Sequence, residues 1–132
     1  MNTKLSPATI LISRVFLALI FVLSGLAKLG SIDVTQGYME AMHVPGFLVF
    51  PTIIFEVGGG LLVMLGYRTR IIALLFAVFS LVTGIIFHNH FADPAQMTNF
   101  LKNISMTGGF LLLANVGAGS FSLDGRKKSS LT

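Results

Sequence analysis

An all-α fold is expected for this chain. It should be a four-helix transmembrane bundle of two tandem helical hairpins, with both termini cytoplasmic and a short interfacial helix between spans one and two. Three features of the sequence point there. Of its 132 residues, 54% are hydrophobic and only 11% charged, against roughly 25% charged in ordinary soluble domains; a soluble chain this short cannot bury so much apolar surface. Four stretches approach the roughly 20 apolar residues that a helix needs to cross about 30 Å of hydrocarbon. Basic residues collect at the ends of those stretches on one side, as the positive-inside rule requires of cytoplasmic segments.

The first span is expected at 8–27, ATILISRVFLALIFVLSGLA, interrupted only by Arg14. Its small residues before Lys28 resemble a signal-peptide cleavage site, but the apolar run is longer than a signal core and Arg14 breaks it, so a retained span is expected. The second span, 46–65, is interrupted only by Glu56, and the third, 71–87, carries no charge. The fourth, 103–118, is the shortest. Backbone groups in lipid must be satisfied within the segment, so all four should be helices. Residues 1–119 then form a single four-span domain, and 120–132 a mobile, basic cytoplasmic tail able to touch anionic lipid. Lys4, Arg68, Arg70, Arg126, Lys127 and Lys128 mark the cytoplasmic side, with Arg14 nearby. The opposite side holds Lys28 and Lys102 beside Asp33, Glu40 and Asp93.

Between spans one and two, SIDVTQGYMEAMHVPGF reads as a short helix that Asp33 caps and that ends before Pro45. Val34, Tyr38, Ala41 and Met42 fall at helical spacing and give it one apolar face, suited to the membrane surface or to covering the bundle. A weak internal repeat runs through the chain. Aligning Arg14 with Arg70 brings Ser24 onto Ser80, and GGLLVMLG in span two is similar to GGFLLLANVG in span four. Two similar hairpins would give this pattern; so would the shared composition of small-residue membrane helices.

Glu56 is the leading candidate for chemistry. A carboxylate at mid-bilayer costs at least about 2.5 kcal/mol, so it should face the bundle interior with a partner. It is either a proton-accepting or ligand-orienting group in an internal cavity, or an interhelical pin held by Ser, Asn, Lys or Arg on another span. Gly58, Gly59 and Gly60 lie beside it, and Gly108 and Gly109 in span four; both runs allow close packing, and the first would let another helix or a flat ligand come against the Glu56 turn. Arg14 serves either as a snorkelling anchor or as counter-ion to Glu56 or to an anionic ligand. Lys28, His88, His90, Lys102 and Asn103 gather at the outer ends and could surround one cavity mouth. The candidate ligand-binding set is therefore Arg14, Lys28, Glu56, Gly59, His88, Lys102 and Asn103.

Other chemistry is not encoded in any recognisable form. Without cysteine there is no disulfide or thiolate ligand, and His88 with His90 alone fall short of a metal site, so no metal is expected. No phosphate loop, dinucleotide fingerprint, nucleophile elbow or metalloprotease helix is present. The cations form no stripe for a phosphate backbone, so no nucleic-acid partner is expected.

Several segments, taken in order, resemble the DoxX/DoxD-like family of small inner-membrane proteins: SGLAKL (24–29), YMEAMHVPGF (38–47), EVGGGLLVMLGYRTR (56–70), FHNHF (87–91), NFLKNISMTGGFLLL (99–113) and GAGSFSLD (117–124). The family pattern matches Arg14, Lys28, Glu56, Arg70, Lys102 and Asn103. The resemblance implies a four-helix bundle in the bacterial inner membrane. It also implies a link to quinol oxidation or to redox partner proteins, though no catalytic role attaches to a particular residue. The first functional reading is an accessory protein, or one that binds a lipid-soluble molecule between its hairpins. The second is a quinone-linked oxidoreductase subunit, with quinone as cofactor, Glu56 moving the proton and Lys28 or Lys102 steadying the oxygen. The third is a small proton-coupled transporter acting as a homo-oligomer.

Overall fold

A computed structural model describes residues 6–130 of the chain. Six helical elements follow one another: α1 (Pro7–Leu29), α2 (Ile32–Ala41), α3 (Gly46–Leu65), α4 (Thr69–Phe87), α5 (Pro94–Val116) and α6 (Leu123–Ser130). The fold is all-helical, with no strand among the described residues. Three helices, α1, α3 and α4, are long and apolar enough to cross a membrane.

Local sequence explains where each helix begins. Ser6 caps α1, its hydroxyl accepting from Thr9 N–H at 3.3 Å, and Pro7 occupies the first turn where its missing N–H costs nothing. Asp93 does the same for α5, accepting from Ala95 N–H at 3.0 Å ahead of Pro94. This cap starts α5 nine residues before the expected 103, because the polar residues of its first turns do not register in an apolar count. Pro51 lies in the opening turns of α3, which begins as a short 3-10 segment at Gly46–Leu48. Gly66 ends that helix in the left-handed conformation (φ 74°), where a side chain would be strained.

The long helices pair as two hairpins, α1 with α3 and α4 with α5. Their shared core is an aromatic layer fed by all four. Phe21 stands 4.6 Å from Phe76 and 5.6 Å from Phe110 between ring centroids, and Phe76 lies 5.1 Å from Phe110. Val63 from α3 and Ala18, Ala73 and Ala77 pack around it.

The internal likeness has a structural counterpart. Arg14 is fully buried and donates to the carbonyls of Val63 (3.0 Å), Met64 (2.8 Å) and Phe121. Arg70 makes the matching set, donating to the carbonyls of Ala114 (3.2 Å), Asn115 and Val116 (3.3 Å). In each hairpin, an arginine near the start of the first helix satisfies the open carbonyls ending the second. Arg14 is thus neither a snorkelling anchor nor the counter-ion of Glu56.

The interfacial helix forms, but with a different cap and face. Ser31, not Asp33, holds the N-cap position, and Asp33 sits in the first turn where its charge favours the helix dipole. Val34, Tyr38 and Ala41 are exposed; Met39 is the buried residue. It packs on Val49 and Ile53 of α3, and that docking sets the rotation of the helix.

Lys4 and the side chains of Lys127 and Lys128 lie outside the described residues. The start of the C-terminal segment, expected as a mobile tail, is held to the α3–α4 turn. Asp124 accepts from Arg68 N–H and Thr69 N–H at 2.9 Å each, and its own N–H donates to Gly66 O at 2.9 Å. Arg68 offers no side-chain cap, so Asp124 caps α4 across 55 positions of sequence. Partial burial pushes the Asp124 carboxyl up, but the Thr69 and Arg68 N–H groups and the nearby Arg14 charge outweigh it and hold the carboxyl below its usual range. A depressed folded-state pKa means this contact stabilises the fold above the ordinary carboxylate range and is lost as pH falls through the depressed value. Protection of the Arg68 and Thr69 amides against exchange, relative to their intrinsic rates, should fall over that acid range, and Asp124→Asn should show the lower protection already at neutral pH.

Candidate functional site

Glu56 owes its position to an irregularity in α3. Residues Phe55–Gly59 form a π-helical turn within the helix. Such turns insert one extra residue into the winding and recur at functional sites. Here the turn directs Glu56 into the bundle, where it is 2% exposed.

Lys28, in the last turn of α1, reaches it. The Lys28 ammonium donates to Glu56 Oε1 at 2.7 Å and to Ser24 Oγ at 2.8 Å. The two helices can come this close because Gly25 faces Glu56. A Cβ added there would lie 2.5 Å from Val57 Cγ2, 3.2 Å from Glu56 Cβ and 3.3 Å from the Val57 backbone. Gly25→Ala should therefore push α1 away and destabilise the protein by about 1–3 kcal/mol, as overpacking does. Gly58 has no neighbour within 4 Å of such a Cβ, so Gly58→Ala should leave stability unchanged or slightly raised. Thermal melts of the two variants in one detergent check the contrast.

The ion pair is not sealed in protein. It opens onto a cavity of about 410 Å³ between the hairpins. Phe21 and Phe79 line its floor, Thr52 and Asn103 contribute to its walls, and Tyr38 and Met39 of α2 lie over it. Asn103 is nearly buried and donates to Ser80 O (3.0 Å) and Thr83 Oγ1 (3.3 Å). His88 lines the same space with Nδ1 2.8 Å from Gln96 Oε1. The structure thus brings Lys28, Glu56, His88 and Asn103 together.

It separates the other candidates. Arg14 belongs to the far end of the bundle, as described. Lys102 is exposed and does not line the cavity, since it precedes the inward Asn103 by one position and so points about 100° away around the helix. Gly59 packs on the Phe76 ring, 3.1 Å from where its Cβ would be, and Gly109 faces Leu17. His90 is exposed. Ser24, Thr52, Thr83 and Tyr38 were not singled out as cavity residues from the sequence. For Ser24 a signal existed: it sits four residues before Lys28 on one helix face, the spacing at which side chains meet.

The DoxX family pattern matches residues 9–89, more than half of the chain. The chain belongs to the DoxX family. Among DoxX-related proteins it is similar to Inner membrane protein YqjF of Escherichia coli, 42% identical over 121 residues covering 92% of this chain and 93% of the relative. Inner membrane protein YphA of the same organism is 37% identical over 127 residues, 91% of each chain. "Putative oxidoreductase CatD" of Bacillus subtilis is 34% identical over 86 residues, 65% of this chain and 63% of that one. No solved structure matches. With its apolar helices and these relatives, this DoxX chain is an inner-membrane protein.

Proposed function

We propose that the bundle binds a lipid-soluble small molecule, whose polar group meets Lys28 and Glu56 and whose apolar part fills the space between the hairpins. One observation carries this reading: a buried ion pair faces a roomy, largely apolar cavity instead of packed side chains. A pair serving only to pin helices needs no open volume beside it, and side chains packed around it would strengthen its mutual attraction. Ligand pockets have the opposite form, a mostly apolar concavity with a few convergent polar groups. In this reading α5 is the fourth span. Its 23 residues give a helix of about 34 Å, enough to cross the hydrocarbon core. The Arg68–Arg70 turn and both chain ends face the cytoplasm, placing the cavity in the outer half of the membrane.

The experiment is extraction and mass spectrometry of molecules that co-purify with the protein in lipid nanodiscs, for the wild-type chain and for Glu56→Gln. A defined small molecule, enriched over bulk lipid and lost in the variant, is the expected result. An identical profile for both, with only the melting temperature changed, would reduce Glu56 to a structural pin.

The name of the Bacillus subtilis relative favours a second reading, a quinone-linked oxidoreductase subunit. Glu56 would then exchange the proton and Lys28 hold the oxygen, with Lys102 excluded by its outward position. A quinone in the extract, together with quinol oxidation by membranes that depends on Glu56, separates this from simple binding.

A further inference from the structure

We infer that the occupant is an amphiphile with an uncharged, hydroxyl-type head, and that it reaches Lys28 and Glu56 sideways from the bilayer through the seam between α1 and α4. This rests on the binding role proposed above and specifies its ligand and route.

The head follows from what the site offers. Lys28 and Glu56 are the residues of opposite charge lining the cavity, and together they are neutral. An ammonium has three N–H donors, of which Glu56 and Ser24 engage two. The Glu56 carboxylate has acceptor capacity beyond its bond to Lys28. A hydroxyl can accept from Lys28 while donating to Glu56. A carboxylate or phosphate head brings no donor and sets a second negative charge beside Glu56. A quaternary ammonium sets a positive charge beside Lys28 and also has no donor. In a bilayer the apolar tail gains little by entering protein, since lipid is equally apolar, so the head's hydrogen bonds decide which molecule stays.

The route follows from the walls. Ile20 of α1 and Val82 of α4 line the cavity, yet are 42% and 45% exposed on the lipid-facing surface. The cavity is therefore continuous with the bilayer at that seam. The backbones of α1 and α4 do not pack side by side; the helices meet through Phe21 against Phe76 and Phe79, and of these rings Phe21 and Phe79 line the cavity. Towards the outer surface α2 covers the way. Tyr38 donates to Phe87 O at 3.3 Å and its ring stacks on Phe87 at 5.4 Å. An acyl or isoprenoid chain longer than the cavity can fill it and extend through the seam among the lipids.

The chain contains no cysteine, so labels can be placed without altering any native residue of that type. In nanodiscs, a long-chain alcohol carrying a photoactivatable diazirine is compared with the matching fatty acid, at a pH above the carboxylate range. The alcohol should cross-link saturably to cavity residues of α1, α3 and α4, and the acid at least about tenfold less efficiently. Equal labelling by the acid overturns the uncharged head. For the route, Ile20→Cys with Val82→Cys is bridged by a bismaleimide. Both positions are lipid-facing, so folding should be unaffected, and alcohol labelling should slow by about tenfold or more on bridging. An unchanged rate overturns the seam as the entrance. Saturable labelling that survives intact in Lys28→Met and Glu56→Gln would instead place the ligand elsewhere and remove the binding role itself.

Discussion

Lys28→Met should lower the stability of the folded bundle by about 3 kcal/mol, and pairing it with Glu56→Gln should restore most of the loss. Breaking a buried ion pair by removing one partner costs about 3–5 kcal/mol, because the survivor keeps its desolvation penalty without compensation. Glu56 is the deeper member and would be left facing hydrocarbon, while the Lys28 side chain is 25% exposed, which places the cost at the lower end. Glu56→Gln alone should be milder, since a side-chain amide oxygen still accepts from Lys28 and Ser24 still holds the ammonium. Replacing both with apolar or neutral groups of similar volume removes the penalty along with the attraction. Reversible unfolding in mixed micelles, read by helix content, measures all three. A Lys28→Met protein as stable as wild type would show that the ion pair contributes nothing to folding.

Arg14→Ala should be at least as damaging, by a different route. Its guanidinium gathers the closing carbonyls of α3 and the Phe121 carbonyl of the C-terminal segment at one buried point. A side chain added at Gly66 would lie 2.6 Å from Arg14 Nη1, so the turn is built around the arginine. Its removal leaves several buried carbonyls without donors, at about 1–3 kcal/mol each before relaxation, and opens a cavity the size of the side chain. We expect a loss of about 3 kcal/mol or more, with early proteolysis of the segment after Val116. Arg14→Lys should rescue little, since one ammonium cannot reproduce a planar fork of donors. Arg70→Ala should cost much less, about 1 kcal/mol, because Arg70 is exposed and water can replace it at the end of α5. Equal losses at the two arginines would contradict this ranking.

Much of this architecture could be read from the residues alone, and the remainder divides by physical cause. The helices were visible because lipid demands long apolar runs, and Glu56 because a lone acid in such a run must turn inward. Lys28 stood out as a cation at a span end, but its pairing with Glu56 did not, because that contact is made across 28 positions by the close approach at Gly25. The π-helical turn was invisible: nothing in FEVGG distinguishes it from an α-helical turn, and it depends on the neighbouring helices. The start of α5 was missed because Asp93 and Pro94 signal a helix by capping, not by hydropathy. Lys102 and Asn103 were grouped together as adjacent residues, although adjacent positions on a helix face different ways. Asp124 capping α4 has no local signature, since donor and acceptor lie 55 positions apart.

The surplus residue in the Phe55–Gly59 turn makes the length of α3 part of the design. Each residue advances a helix by about 100°, so shortening that stretch by one would swing everything beyond it by more than a quarter revolution. The acid lies at the start of the irregularity and the carbonyls grasped by Arg14 lie beyond it, at Val63 and Met64, so the extra residue sets the angle between them. A single deletion among the three glycines would then turn the ion pair and its cavity out of line with the arginine clasp, even though hydropathy and composition would barely change.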